Sequence, residues 1–404
     1  AAPCDFKGSR KVYAVCPPIR PKIGRYDCMN RPSSVYRYSF IALVLAVVLS
    51  PGQSAAVAQD KASRIDTLVS AYQKAGKFNG SVLAAERDEV IFSKGYGWAD
   101  LEWDIPNTSD TKFRLGSITK QFTSMLIMQL VSEGKVKLDG KLSDFLPYYR
   151  KDTGDRITIQ NLLTHTSGIP NYTALSGFFQ NVSRNPFGVE DFIKKYCSGD
   201  LRFEPGSKFE YDNSGYFLLG AVIEQVTGKP YEQVLKERIL DPLGMKDTGY
   251  DHHETILKKR AQAYEKTPKG FVNAGYLDMS IPYAAGSLYS TVEDLYKWDQ
   301  ALYTSKLLPD EYKKKMFTPF LEHYAFGWFV SDVPVGASGQ KVSTVSHEGG
   351  INGFNTLIIR FVDDHDLIVL LNNTGGAPLE EMARQITNIL YDKPFKLPAE
   401  APAK

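Results

Sequence analysis

The spacing of hydrophobic and polar positions changes along the chain, and each change marks a different kind of element. In residues 61–77 apolar side chains recur at helical spacing, which predicts an amphipathic helix. Residues 81–85 and 89–93 are two short apolar runs on either side of a polar tip, as in a β-hairpin. A helix followed by two paired strands is therefore expected here.

The middle of the chain is mainly helical in pattern, whereas its last third returns to strands. Residues 117–133 carry an apolar stripe at helical spacing, which predicts a long helix. Further helices are expected at residues 159–164, 189–196, 216–226, 231–240 and 292–303. Runs rich in β-branched and aromatic residues predict strands at residues 326–330, 342–346, 355–361 and 366–371, before a final helix at residues 378–391.

This order of elements predicts an α+β fold of the α/β sandwich type. Strands from the N- and C-terminal segments would form one antiparallel sheet flanked by helices, with a mainly helical region inserted between them. The sheet region is expected at about residues 60–110 and 280–395, and the helical region at about residues 115–275. Residues 59–395 would form a single domain, followed by a tail at residues 396–404.

The first 58 residues have the pattern of an export leader. An unbroken apolar run at residues 40–49 follows basic residues and precedes the Ala-Val-Ala of residues 56–58, as in a secretory signal peptide. We expect the signal at about residues 29–58, with residues 1–28 lying upstream of the true start, and a periplasmic or secreted product. The alternative is a cytoplasmic tail with the apolar run as a signal anchor.

Charge and cysteine content exclude several classes of function once the leader is set aside. Residues 1–58 hold eight of the 48 Lys and Arg residues but two of the 46 Asp and Glu residues, so the remainder is mildly acidic. Neither nucleic acid nor an anionic membrane surface is then an implied partner, and no integral membrane segment is expected in the mature chain. Cys197 is the one cysteine outside the leader, which leaves no disulfide framework and no cysteine metal site. No metal or other cofactor is predicted.

The S-x-x-K pattern places a serine and a lysine on one helix face, where the amine can serve as the base for a nucleophilic hydroxyl. Four copies occur, beginning at Ser109, Ser117, Ser132 and Ser338. Ser117 alone opens a long apolar helix, whose first-turn N–H groups are free to bind an oxyanion. The structural alternative is an ordinary N-capping serine.

Two further motifs each occur once, and each also has a plain structural explanation. Tyr211-Asp212-Asn213 is the one Y-x-N; a phenol can relay a proton if a nearby cation lowers its pKa, and a carboxamide can bind a substrate amide. His347-Glu348-Gly349 is the one H-x-G, at the end of an expected strand where glycines let a substrate approach the backbone. Taken alone, the tyrosine fits a half-buried aromatic and the histidine a structural side chain.

Taken together, these motifs resemble a known superfamily in their order and spacing. The segments are residues 113–120, 162–168, 211–213, 242–245 and 347–349. They resemble the serine β-lactamases and D,D-peptidases, above all the class C β-lactamase-like branch with its D,D-carboxypeptidases, D-aminopeptidases and family VIII carboxylesterases. The resemblance covers residues 62–391.

The resemblance implies a role for each motif residue. Ser117 would be the nucleophile, Lys120 and Tyr211 would share the proton transfers, and Asn213 would hold the acyl amide. The backbone amides of Ser117 and Gly350 would form the oxyanion hole, and His347 would stand where β-lactamases usually carry the lysine of K-T-G. Glu348, Gly349 and Gly350 would contact the substrate beside it.

Two departures from the β-lactamase pattern bear on the substrate. An unperturbed histidine at position 347 would titrate near pH ~6.5, so it lacks the permanent charge of a lysine. Glu348 stands where a small hydroxyl residue is usual, and it would repel a carboxylate.

We therefore expect an acyl-enzyme serine hydrolase that is D,D-peptidase-like, with penicillin binding but weak or no β-lactamase activity. Its substrates would be small molecules or peptides with an acyl amide or ester. The alternatives are a carboxylesterase of the family VIII type and a penicillin-binding receptor without turnover. Oligomeric state stays open.

Overall fold

The computed structural model describes residues 51–337 and 339–399, and for residues 51–59 it describes the backbone alone. The apolar run of the predicted leader, Ser338 and the last residues of the predicted tail lie outside the described residues. Within those described ranges, no helix is long and apolar enough to cross a membrane.

Thirteen strands occur in the described residues. They are β1 Gly80–Glu86, β2 Glu89–Tyr96, β3 Trp98–Asp100, β4 Ile105–Pro106, β5 Phe113–Arg114, β6 Gly249–Tyr250, β7 Tyr264–Thr267, β8 Gly270–Asn273, β9 Leu288–Ser290, β10 Phe329–Val335, β11 Gln340–Ile351, β12 Phe354–Phe361 and β13 Asp366–Asn372.

The α-helices of the same residues lie mostly between β5 and β10. They are α1 Pro51–Lys74, α2 Thr119–Ser132, α3 Leu142–Phe145, α4 Lys151–Gly154, α5 Ile159–Leu163, α6 Phe178–Asn181, α7 Val189–Tyr196, α8 Asn213–Thr227, α9 Tyr231–Leu235, α10 Asp241–Leu243, α11 Tyr283–Gly286, α12 Val292–Leu302, α13 Asp310–Met316 and α14 Leu379–Leu390. A π-helical turn, Lys236–Leu240, joins α9 to α10.

The central feature is a six-stranded antiparallel sheet in the order β10-β11-β12-β13-β1-β2. It joins the N-terminal hairpin to the four C-terminal strands through the β1–β13 pair, as predicted. The hairpin tip closes tightly because Arg87 and Asp88 both adopt positive φ, the conformation that matches the twist of paired strands. The predicted α+β architecture is confirmed.

Each face of this sheet has its own apolar core. One core is formed with α1 and α14 and includes Leu68, Val82 and Leu370. The other is larger and packs the opposite face against α2, α8 and α12, with Phe122 stacked on Trp298 at 4.4 Å between ring centroids. Burial on both faces fixes the register, because a slip by one residue would exchange the two sets of side chains.

Several predicted boundaries were wrong, and each error has a local cause. β10 is Phe329–Val335 rather than residues 326–330, and it holds Pro334, which an edge strand tolerates. β11 continues to Ile351 rather than ending at residue 346, because its glycines are paired with β12 despite their low strand propensity. The region predicted as helical also contains β6, one strand of the small three-stranded sheet β5-β9-β6, and the whole β7–β8 hairpin.

Candidate active site

Ser117 lies in a short 3-10 turn, Gly116–Ile118, that joins β5 to α2. The predicted helix therefore begins at Thr119 and not at the serine itself. Gly116 has φ +55, which lets the chain turn sharply into the helix. Ser117 is half-buried between fully buried neighbours, so its side chain faces open space.

Lys120 is fully buried one turn after the serine, and its ammonium group has three acceptors. Nζ donates to Ser117 Oγ at 3.0 Å, to Asn213 Oδ1 at 2.8 Å and to the carbonyl oxygen of Ala285 at 2.9 Å. A neutral amine could keep the last two bonds as a donor and accept the Ser117 proton with its lone pair. The three partners thus direct that lone pair at the nucleophile.

Burial lowers the pKa of Lys120 to about 7, although the charge of Asp212 opposes the shift. Desolvation disfavours the ammonium form in a site without bulk water. A substantial fraction of Lys120 is then neutral near pH 7, which is the form that a general base requires.

Tyr211 places its ring 5.0 Å from Lys120 Nζ, measured to the ring centroid. Its hydroxyl is buried and has no hydrogen-bond partner among the described residues. Burial raises the pKa of Tyr211 far above its ordinary value, and the nearby Ser117 hydroxyl offsets this only in part. Desolvation is thus the largest influence on the pKa of Tyr211, and the lowered pKa that a proton relay through the phenolate would need is not present in the free protein. Tyr211 is therefore a proton donor in the free protein.

Asp212 holds the start of α8 in place as its N-cap residue. Its carboxylate accepts the Ser214 N–H at 2.7 Å and the Gly215 N–H at 3.1 Å, and its own N–H donates to His165 Nδ1 at 3.1 Å. The helix predicted at residues 216–226 therefore begins three residues earlier, at Asn213. His165 ties this segment to the turn at residues 164–168, because its ring nitrogen accepts from Asp212 and its carbonyl oxygen accepts from the Glu210 N–H.

Asn213 is the first residue of α8 and faces the nucleophile. Its Oδ1 accepts from Lys120, and its Nδ2 donates to Thr173 Oγ1 at 3.2 Å. One Nδ2 hydrogen remains for a substrate carbonyl.

The glycines of β11 bring the sheet against the Ser117 turn. A Cβ on Gly349 would lie 1.9 Å from the Leu115 carbonyl oxygen, and one on Gly116 would lie 2.9 Å from Gly350 N. The Gly350 amide therefore lies beside the backbone that carries Ser117, where the oxyanion hole is expected. Gly350 itself is open, since a Cβ there would meet nothing within 4 Å.

His347 is a neutral side chain in a fixed tautomer. Its Nδ1 lies 2.6 Å from the Glu348 carbonyl oxygen, which can only accept, so Nδ1 carries the proton. Nε2 then accepts from the Tyr324 hydroxyl at 3.2 Å. Burial, followed by the charge of Lys120, lowers the pKa of His347 to about 3. The expected titration near pH 6.5 is therefore wrong.

Glu348 points to the other face of β11, towards Glu380 at the start of α14. Burial, followed by the adjacent Glu380 carboxyl, raises the pKa of Glu348 to about 7. A carboxyl group beside a second carboxyl group holds its proton more tightly, because two adjacent negative charges repel each other.

Two cavities meet at Ser117. One, of about 390 Å³, is lined by Thr173, Asn213, Ile281 and Gly350 among others. The second, of about 850 Å³, contains Tyr211 and continues along β10, β11 and β12 beneath α14. A substrate bound at the serine can therefore extend in two directions.

The other candidate nucleophiles do not form such a site. The lysines of two further S-x-x-K copies are engaged elsewhere, Lys112 with Asp247 and Lys135 with Glu133. The copy that begins with Ser338 lies outside the described residues. Cys197 is fully buried, and burial raises the pKa of its thiol well above the usual range. Over residues 60–337 and 339–399, no group of His, Cys, Asp and Glu side chains could hold a metal ion.

Sequence reasoning missed three groups that complete the cluster: the Ala285 carbonyl, Thr173 and Tyr324. None belongs to a recognisable motif in the sequence. Each comes close to its partner through long-range packing, for example across 165 residues between Lys120 and Ala285. The predicted residues Ser117, Lys120, Tyr211, Asn213, His347 and Gly350 all converge on one site.

The chain belongs to the Beta-lactamase family, whose model matches residues 65–391. It is similar to Penicillin-binding protein 4* of Bacillus subtilis, with 29% identity over 85% of this chain and 79% of the relative. It is 29% identical to a Teichoic acid D-alanine hydrolase of Staphylococcus aureus over 76% of this chain and 72% of the relative. The resemblance inferred from the motifs is confirmed.

A solved structure agrees with these relatives. The D-stereospecific amidohydrolase from Streptomyces sp. superimposes with a TM-score of 0.65 and 25% identity, over 81% of this chain and 97% of that chain. The family and the hydrolases among the similar proteins identify this chain as a serine hydrolase of the β-lactamase and D,D-peptidase type.

Proposed function

We propose that this chain is a D,D-peptidase-like amidase that works through an acyl-enzyme on Ser117. The observation that carries the proposal is the buried Lys120 amine, 3.0 Å from Ser117 Oγ, with its pKa lowered to about 7. Such an amine is a base of matched strength beside a nucleophile.

In acylation, neutral Lys120 takes the proton of Ser117 Oγ while the oxygen attacks the substrate carbonyl. The negative charge that develops on the carbonyl oxygen is stabilised by the amides of Ser117 and Gly350. Tyr211 donates its proton to the departing nitrogen or oxygen, and the Lys120 ammonium returns a proton to the phenolate. The bond to the leaving group breaks, and the acyl group stays on Ser117.

Deacylation repeats these steps with water as the nucleophile. Neutral Lys120 takes a proton from water as the water oxygen attacks the ester carbonyl, Tyr211 donates its proton to the departing Ser117 Oγ, and the Lys120 ammonium returns a proton to the phenolate. Asn213 holds the acyl amide through Nδ2, which keeps the ester carbonyl in the oxyanion hole. The amide preference is supported by the similar structure whose title describes a D-stereospecific amidohydrolase.

Carboxylesterase activity is a second candidate, favoured by one observation. The larger cavity has an apolar lining that includes Phe329, Leu357 and Ile359. An apolar lining suits an ester with a hydrocarbon group better than a charged peptide terminus. A receptor that is acylated by penicillin without turnover would use the same first half-reaction.

Three measurements separate these functions: the mass of the labelled penicillin adduct over time, a turnover assay with an amide substrate and a turnover assay with an ester substrate. We expect one adduct on Ser117 and hydrolysis of N-acetyl-D-alanyl-D-alaninamide. Hydrolysis of a short aryl ester without amide cleavage indicates the esterase, and a permanent adduct without turnover indicates the receptor. Ser117→Ala should abolish the adduct, with loss of activity of at least about 10³-fold. An adduct on another residue would reject the site.

A further inference from the structure

The larger cavity is a groove with a defined direction. It starts beside Ser117 and Tyr211, passes Glu348 and continues between β10 and α14. In the sheet register Ser346 lies opposite Phe329 and Ile359, and Val342 lies opposite Val333. From Gly350 to Val342 is eight residues of one strand, or roughly 26 Å at about 3.3 Å per residue.

The two cavities can be assigned to the two halves of a substrate. Tyr211, the proton donor, contributes to the groove but not to the smaller cavity, whereas Asn213 contributes to the smaller cavity but not to the groove. A leaving group must depart on the side that supplies its proton. The acyl part therefore lies towards Asn213, and the leaving group lies in the groove. This assignment rests on the proposed function.

The chemistry of the groove changes along its length. Glu348 and Glu380 face each other near its start, one on the sheet and one on α14. Arg384 lies one helical turn further along α14 and also lines the groove. Beyond the acid pair, the walls between sheet and helix are mainly apolar, with Phe329, Ile359, Phe361, Val333 and Pro334.

We propose that this groove is an extended leaving-group subsite, which takes an uncharged leaving group with a long apolar chain and rejects a carboxylate next to the scissile bond. The Tyr211 hydroxyl, which has no hydrogen-bond partner among the described residues, marks where the leaving atom sits. A carboxylate attached near that atom meets Glu348 and Glu380 before it can reach Arg384. An apolar chain instead removes hydrocarbon surface from water along β10 and β12.

Substrates that share one acyl group test the groove directly. N-acetyl-D-alanyl esters of ethanol, octanol and dodecanol, kept below their aggregation limits, differ only in the leaving group. The second-order rate of leaving-group release reports acylation whether or not the acyl-enzyme turns over. We expect this rate to rise from ethyl to dodecyl by about tenfold or more.

A matched pair of variants tests whether the dependence on chain length arises in the groove. Ser331 lies in the groove, two residues or roughly 7 Å along β10 from Phe329. Ser331→Phe should fill the groove and reduce the dodecyl-to-ethyl ratio to about twofold. Asp332→Phe adds the same side chain at the next position, which is exposed and is not part of the groove lining, and should leave the ratio unchanged.

The selection against a carboxylate is tested by comparing the reaction rates of N-acetyl-D-alanyl-D-alanine and its amide. We expect the amide to react faster, and Glu348→Gln to reduce that preference by about fivefold, because an uncharged side chain of the same size no longer repels the carboxylate. Equal rates for acid and amide in the wild type would reject the selection against carboxylate.

Two outcomes separate failure of this inference from failure of the proposed function. If esters of all lengths release their alcohols at equal rates, the acyl-enzyme stands and the subsite is rejected. If no alcohol is released from any ester, the proposed function fails. Calorimetry of decan-1-ol binding to Ser117→Ala then tests whether the groove binds an apolar chain. Binding that Ser331→Phe abolishes and Asp332→Phe preserves supports the subsite, whereas no binding overturns it.

Discussion

The active site lies between a helical wall, formed by α2 and α8, and a sheet wall, formed by β11. Each wall buries one basic side chain, but the pKa values of the two side chains differ. On the helical wall, Lys120 has three hydrogen-bond acceptors, two aromatic rings beside it and a pKa of about 7. On the sheet wall, His347 is tied between Tyr324 and the Glu348 carbonyl with a pKa of about 3. One base is poised to exchange a proton near neutral pH, and the other stays neutral.

Burial alone therefore does not make a catalytic base. Desolvation lowers the pKa of both groups, yet only Lys120 starts high enough to end near 7. The helical wall is therefore suited to proton transfer. The sheet wall supplies backbone amides, close packing and the acidic rim of Glu348.

Replacing Lys120 by methionine should have the largest effect on this comparison. Methionine keeps the length of the chain but removes the base, so kcat/KM should fall by about 10³-fold or more. In the wild type, kcat/KM should rise with pH through about 7 as Lys120 loses its proton. A fall of less than tenfold in the variant would show that Lys120 is not the base.

Lys120→Met should also change how the free energy of unfolding depends on pH. Between pH 7 and 9 an unfolded Lys120 binds a proton that the folded residue does not, so unfolding takes up a proton and becomes less favourable as pH rises. The free energy of unfolding should therefore increase by up to about 1.4 kcal/mol per pH unit from this residue. Lys120→Met should remove that slope in urea unfolding at pH 7, 8 and 9. Equal slopes in both proteins would contradict a lowered pKa.

Two neighbouring glycines of the sheet wall allow a matched test of packing. Gly349→Ala would place its Cβ 1.9 Å from the Leu115 carbonyl oxygen and 2.2 Å from Thr356 Oγ1. We expect it to destabilise the fold by about 1–3 kcal/mol and to lower kcat/KM at least about tenfold, by moving the Ser117 turn. Gly350→Ala meets open space and should change the free energy of unfolding by less than about 0.5 kcal/mol. Equal stability of the two variants would show that β11 can yield at Gly349.

Removing the hydroxyl that binds His347 should have the smallest effect. Tyr324→Phe leaves Nε2 without its donor, which should cost about 1 kcal/mol of stability. The change in kcat should stay within about threefold, because His347 does not exchange a proton. Nitrogen NMR of labelled histidine should show the Nδ1–H tautomer in the wild type at pH 5 to 8. A charged His347 at pH 5 would contradict the burial-driven shift.

The parts of the molecule that were predictable are those encoded by short-range geometry. Ser117 and Lys120 are three residues apart on one turn, so their contact follows from helix geometry alone. The β1–β2 hairpin follows from two apolar runs and a polar tip, and α8 and α14 follow from their apolar periodicity. The edges of β10 and β11 were missed because glycine and proline mark a strand end by propensity, while the neighbouring strand decides whether pairing continues.

The amino-acid sequence shows which residues could do chemistry: a serine with a lysine one turn away, one Y-x-N, one H-x-G and the family that these motifs define. What those residues are able to do depends on the folded structure around them. The Ala285 carbonyl, the Tyr324 hydroxyl and the Glu380 carboxyl each come from a segment more than 20 residues from the group they act on. Protonation states depend on burial and on such distant neighbours, and only the packed molecule brings them together.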